Sequence, residues 1–157
     1  MDMQRGIGYK RGLPWDKPIK PDWENLYAVS KGCQMIMGRK SFDDEHRVWS
    51  PEGNYVLSSD VHLPMPEGFE RVNSFAEALN LAKNEKEIFA IGGQGIFEEA
   101  LPLATNLHLT FVKETFEADR FFPKFDASLY DIISQKQYQK GNESPFDIEI
   151  VHYRRKN

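Results

Sequence analysis

The chain has 157 residues, a formal net charge of −4 at pH 7, 40% hydrophobic and 28% charged residues. That length suits one domain with a proper core, and the acidic balance argues against a general nucleic-acid binder or an anionic-membrane binder. A single cysteine, Cys33, excludes an intrachain disulfide framework. The histidines are scattered without ligand spacing, so no metal is expected, and no leader or membrane-length apolar run is visible, which makes the cytoplasm the expected compartment.

The opening stretch "MDMQRGIGYKRGLPW" is rich in glycine and charge and reads as loop. In "KPDWENLYAVSKG", Pro21 suits a first helical turn, Trp23, Leu26, Tyr27 and Val29 offer an apolar face, and Gly32 ends the helix. "QMIM" (34–37) is a compact apolar strand that runs into the turn-to-helix stretch "GRKSFDDE". "NYVLSS" (54–59) reads as a second strand and leads into the loop "DVHLPMPEG". "SFAEALNLAK" opens on a capping box, Ser74 with Glu77, and puts Phe75, Ala78, Leu79 and Ala82 on one side. "EIFAI" (87–91) is a third strand. The bare turn "GGQG" follows it, and then a helix with Ile96, Phe97, Ala100 and Leu101 on one face. "NLHLTFV" alternates as a strand, and "YDIISQKQYQ" and "FDIEIVHYR" flank "KGNESP" as a hairpin. Helices alternating with strands, then strands alone, predict an α/β domain with a mostly parallel twisted sheet and a C-terminal antiparallel hairpin.

Ligands of such sheets sit where strand carboxyl ends face helix N-termini. "MGRKS" (37–41), "LSS" (57–59) and "IGGQG" (91–95) are junctions of this kind. They offer bare backbone, the hydroxyls of Ser58 and Ser59, and the cations Arg39 and Lys40; an arginine fork suits a phosphomonoester. Each alone reads equally well as a cap or a surface charge, and "GGQG" matches neither a G-x-G-x-x-G fingerprint nor a P-loop. Together they point to a phosphorylated nucleotide.

In order along the chain stand "IGYKRGLPW", an acidic residue opening the next helix (Asp22), "IMGRKSF", "VLSS", "IGGQGIFEEALP", "LHLTFV" and "ADRFFP". This set resembles dihydrofolate reductase from Ile7 nearly to the end of the chain. The resemblance implies a cytoplasmic NADPH-dependent oxidoreductase that reduces 7,8-dihydrofolate to tetrahydrofolate for one-carbon metabolism. Its partner is a small molecule, neither nucleic acid nor membrane, and a monomer is expected. Asp22 matches the pocket carboxylate that binds the pterin's amidine-like edge and assists protonation of N5; read alone, it is a helix N-terminal charge. Thr110 matches the threonine supporting that carboxylate, and Trp15 the tryptophan bordering the pterin. Trp23, Leu26, Trp49 and Ile91 match pocket-wall positions, though the tryptophans read equally as core. Ile7, Gly8 and Leu13 fall on the loop that closes over the nicotinamide. Gly38, Arg39, Lys40 and Ser41 match the phosphate turn, and Leu57, Ser58 and Ser59 the adenosine-phosphate side. Gly92, Gly93, Gly95 and Ile96 match the second turn, whose paired glycines carry a cis peptide in the family.

The sequence also departs from the pattern. The family's first strand has only its closing edge here, at "MDMQRG", and the expectation is a native start upstream of Met1. An insertion within "DKPIKP" separates Trp15 from Asp22. Glu52 stands at the position of the arginine that binds the folate glutamate tail, with Arg47 as a partial substitute, while Leu26 replaces a phenylalanine and Glu45 an apolar residue. These changes keep two alternatives open: a reductase of another pterin or pyrimidine, and a non-catalytic nucleotide-binding relative.

Overall fold

In the computed structural model, which describes residues 1–83 and 85–157, the elements in chain order are β1 (Gly6–Gly8), α1 (Lys20–Val29), β2 (Gln34–Gly38), α2 (Arg39–Asp43), β3 (Asn54–Leu57), β4 (Phe69–Val72), α3 (Phe75–Leu81), β5 (Ile88–Gly92), α4 (Gln94–Ala100), β6 (Asn106–Val112), β7 (Arg120–Phe121), β8 (Tyr130–Tyr138) and β9 (Ile148–Arg155), with a 3-10 turn at Ala127–Leu129. The chain divides into two units, residues 28–100 and residues 1–27 with 101–157.

The unit of residues 28–100 is built on a wholly parallel sheet of order β4-β3-β2-β5. β2 lies inside it, and this is why "QMIM" is an unbroken apolar run: Met35, Ile36 and Met37 are all buried. Phe75, Ala78 and Ala82 of the α3 segment pack with Ile36, Tyr55 and Val72. Ser74 caps α3 by accepting the Glu77 N–H at 3.0 Å. The Glu77 carboxylate reaches past Ser74 to the N–H of Asn73 at 2.6 Å, so the box closes one residue early. β4 was not anticipated. Its sequence "FERV" has adjacent charges that break the alternation, yet at the sheet edge only Val72 is buried.

In the other unit, β6-β9-β8 form an antiparallel sheet, and the β8–β9 hairpin falls where it was expected. Ile19, Val112, Ile148 and Ile150 are its core, with Trp15, Phe116, Tyr138 and Phe146 packed against them. The opening stretch, expected to be loop, contains β1, which pairs antiparallel with β7. It also carries an edge of parallel pairing: the Met1 nitrogen donates to Thr110 O (2.6 Å) and Val112 N–H donates to Met1 O (2.8 Å). Gly6 has no room for a side chain, because a Cβ there would lie 2.8 Å from Ala118 Cβ and 3.0 Å from Asp2 Cγ. No helix among the described residues is long and apolar enough to cross a membrane.

His108 on β6 sits directly opposite His152 on β9, and their rings stack with centroids 4.2 Å apart. His152 Nε2 lies 2.9 Å from Asn106 Oδ1. Burial, then the neighbouring imidazole, lowers the His108 pKa to about 4. Because the folded value lies below the ordinary 6.5, protonation favours the unfolded chain, so stability falls as pH drops from 6.5 toward 4. In thermal melts over that window the wild type should lose melting temperature faster than His108→Phe; parallel curves would refute this.

Candidate active site

β2, β3 and β5 run parallel side by side, so their carboxyl ends emerge on one edge, with Gly38 opposite Leu57 and Met37 opposite Gly92. The junctions singled out in the sequence are therefore neighbours. At Gly38 a Cβ would come 3.5 Å from Ile96 Cγ1, and Gly93 N would be 3.7 Å away, so the two turns pack backbone to backbone. Gly92 has φ +120°, and a Cβ there would lie 3.3 Å from Phe97 Cε2, so this position favours glycine on conformation and space together. The Gly92–Gly93 peptide is cis, as the resemblance implied.

Above these turns the backbone is open. A Cβ at Gly93 or Gly95 would meet nothing within 4 Å. The bond from Phe97 N–H to Gly93 O (3.1 Å) opens the α4 ladder, and the Gly95 and Ile96 amides come before it, where an anion is favoured. The Ile96 side chain is core, leaving its backbone for any ligand. Gly38 caps α2 with no side-chain cap bond. Beside it, Arg39 Nε donates to Asp43 Oδ2 (2.7 Å) and Nη1 to Asp60 Oδ2 (3.3 Å), while Lys40 is exposed. Ser41 and Ser58 are half-buried and Ser59 is exposed; Ser58 Oγ accepts the Asp60 N–H at 3.1 Å. Bare amides, hydroxyls and a guanidinium on one sheet edge fit the phosphates of a dinucleotide.

The unit of residues 1–27 with 101–157 brings together the predicted proton-handling residues. Asp22 stands in the first turn of α1, and the Thr110 hydroxyl of β6 hydrogen-bonds its carboxylate. Burial raises the Asp22 pKa above the ordinary carboxylate value, opposed by the Thr110 bond and then by the charge of the Met1 amine. Trp15 packs on the Ile19–Val112–Ile148–Ile150 cluster and meets Phe116 edge-on at 5.9 Å. Ile7, Gly8 and Leu13 are half-buried beside a tight turn closed by paired Tyr9–Gly12 bonds of 3.0 and 3.1 Å. Asp119 accepts the Lys10 N–H at 2.9 Å and pins that turn.

Among the predicted wall positions, half-buried Trp23 meets Tyr27 edge-on at 6.1 Å and lines an open apolar groove with Pro18, Lys20, Glu24 and Tyr27. Leu26 is half-buried, Trp49 is 50% exposed, and Ile91 packs beside the core residues Met37, Phe42 and Val56. Asp2 was missed in the sequence, although its carboxylate is buried on three backbone amides. Nothing in the pattern around an acidic residue in a polar loop signals that role. The Arg39–Asp60 contact was also missed; its signal was a carboxylate directly after the Ser58–Ser59 pair. No group of three or more His, Cys, Asp or Glu among the described residues could hold a metal ion.

A parallel sheet whose adjacent strand ends present bare amides, hydroxyls and an arginine has the build of a nucleotide-binding α/β protein. The family model for dihydrofolate reductase matches residues 1–155. Dihydrofolate reductase of Bacillus subtilis (strain 168) is 33% identical over 157 residues, covering all of this chain and 92% of that protein. The Staphylococcus haemolyticus enzyme is 30% identical over 155 residues, covering 99% and 92%. A solved dihydrofolate reductase from Enterococcus faecalis, complexed with NADP(H) and RAB-propyl, superposes with a TM-score of 0.84 at 26% identity, covering 99% of this chain and 92% of that one. The chain belongs to the dihydrofolate reductase family.

Proposed function

We propose that the chain reduces 7,8-dihydrofolate to tetrahydrofolate with NADPH, and that Asp22 assists protonation of N5. The observation that carries this reading is a desolvated carboxyl with a raised pKa, oriented by the Thr110 hydroxyl. Bound NADPH supplies the hydride to the carbon of the substrate's C=N bond. The Asp22 carboxylate accepts two parallel hydrogen bonds from the pterin's amidine-like edge, and burial keeps a proton available to N5 nearer neutral pH than an exposed aspartate could. Thr110 positions Asp22, and Trp15 borders the pterin. Trp23, Leu26, Trp49 and Ile91 supply apolar surface to the substrate, while Ile7, Gly8 and Leu13 serve the nicotinamide end. Gly38, Lys40, Ser41, Gly92, Gly93, Gly95 and Ile96 cradle the phosphates. Arg39, Leu57, Ser58 and Ser59 take the adenosine side. We take the protein to work as a cytoplasmic monomer on small molecules, without nucleic acid or membrane, consistent with its net charge of −4.

A second reading concerns the substrate's tail. Glu52 is exposed, and Arg47, the candidate substitute cation, is committed elsewhere: it donates to Phe42 O at 2.7 Å and stacks over the Phe42 and Phe69 rings at 4.5 and 4.8 Å. A reductase built this way gains little from a glutamate tail and accepts an unconjugated dihydropterin. Comparing kcat/KM for dihydrofolate and a tail-less dihydropterin, both with NADPH, tests the two readings together. The expectation is turnover of both substrates. Glu52→Arg should lower KM for dihydrofolate alone, by about tenfold, the worth of one charge-assisted pair. Turnover of neither substrate would remove the reductase reading, and equal KM shifts for both would remove the role of Glu52.

A further inference from the structure

The guanidinium of Arg39 is already held by two carboxylates. Asp43, one helical turn on, takes Nε at 2.7 Å, and Asp60 faces Nη1 at 3.3 Å. Asp60 is fixed rather than incidental. Its N–H donates to Ser58 Oγ (3.1 Å), its Oδ1 accepts the His62 N–H (3.0 Å), and its carbonyl accepts the Leu63 N–H (3.2 Å). The other cation bordering this turn, Arg71, donates to Ser58 O (2.7 Å) and Asn73 Oδ1 (2.8 Å). A carboxylate and an arginine read opposite adenosine riboses: the carboxylate accepts from a free 2′-hydroxyl, and the arginine takes a 2′-phosphate. Here both stand at one point, in contact.

Resting on the reading of this edge as the cofactor site, we propose that Asp60 is a specificity-determining residue that narrows the preference for a 2′-phosphorylated dinucleotide over one with a free 2′-hydroxyl. A 2′-phosphate that takes Arg39 competes with the Asp60 carboxylate for the guanidinium and then sits beside that negative charge. A free ribose loses nothing at Arg39 and gains an acceptor. Lifting the charge without changing the side chain's shape therefore strengthens 2′-phosphate binding selectively. Asp60→Asn does this, and its Oδ1 still accepts the His62 N–H, so the turn is kept.

The test is equilibrium binding of adenosine 2′,5′-bisphosphate and of 5′-AMP, which differ only by the 2′-phosphate, with NADPH and NADH as a second pair. Asp60→Asn should tighten the bisphosphate and NADPH about tenfold, the scale of one charge-assisted contact, with 5′-AMP and NADH unchanged or weaker. Arg39→Ala added to Asp60→Asn should abolish that gain. A 2′-phosphate preference within twofold of the wild type in Asp60→Asn, or a gain that survives the loss of Arg39, would overturn the role of Asp60. Failure of the wild-type chain to bind any of the four nucleotides would overturn the cofactor-site reading, and this inference with it.

Discussion

Asp22→Asn is expected to lower dihydrofolate-dependent turnover by about 10²–10⁴-fold, the range for losing a general acid, with NADPH binding retained. The same substitution should make the protein more stable at pH 7. Burial raises the Asp22 pKa, so the folded chain favours the neutral carboxyl and carries the cost of a desolvated charge once that carboxyl ionises. That cost is present above the folded pKa and disappears as pH falls below the ordinary value of 3.8. The melting temperature of Asp22→Asn should therefore exceed that of the wild type at pH 7, and the two should converge in acid. Wild-type turnover should decline as pH rises through the raised pKa. Turnover within tenfold of the wild type, or a lower melting temperature at pH 7, would contradict the assignment.

Asp2→Ala should cost about 3 kcal/mol of stability, the scale for leaving buried backbone donors without an acceptor. Asp2 is 2% exposed. Its Oδ1 accepts the N–H groups of Gln4 (2.9 Å) and Gly6 (2.6 Å), and its Oδ2 accepts that of Phe116 (2.9 Å). The substitution strands all three donors, at the turn where Arg5 has φ +67° and β1 begins. Urea denaturation followed by fluorescence measures the loss, and Asp2→Asn, which keeps one acceptor, should lose less. A cost below about 1 kcal/mol for Asp2→Ala would show that water replaces the carboxylate.

What could be read from the chain follows from how local each signal is. β2 and α3 were legible because buried strands and capped amphipathic helices leave a pattern within a few residues: Met35 to Met37 for the one, Ser74 with Glu77 for the other. The junctions after β2, β3 and β5 were legible one by one, as glycines, serines and an arginine. Their adjacency comes from the parallel register of Gly38 with Leu57 and of Met37 with Gly92, which no short stretch encodes. β1 and β7 were missed because two- and three-residue strands exist only through each other's hydrogen bonds. Asp2 was missed for the same reason, since its partner Phe116 lies more than a hundred residues away. Asp22 and Thr110 were found through resemblance, whereas the raised pKa that gives the pair its chemistry comes from burial, a property of the folded chain.

The most direct measurement is NADPH oxidation by the purified chain, followed by absorbance with and without 7,8-dihydrofolate. The expected result is loss of NADPH absorbance only when dihydrofolate is present, at a rate about 10²–10⁴-fold lower with Asp22→Asn. No dihydrofolate-dependent oxidation, with NADPH still raising the melting temperature, would leave a cofactor site without the proposed reaction and would contradict the role of Asp22.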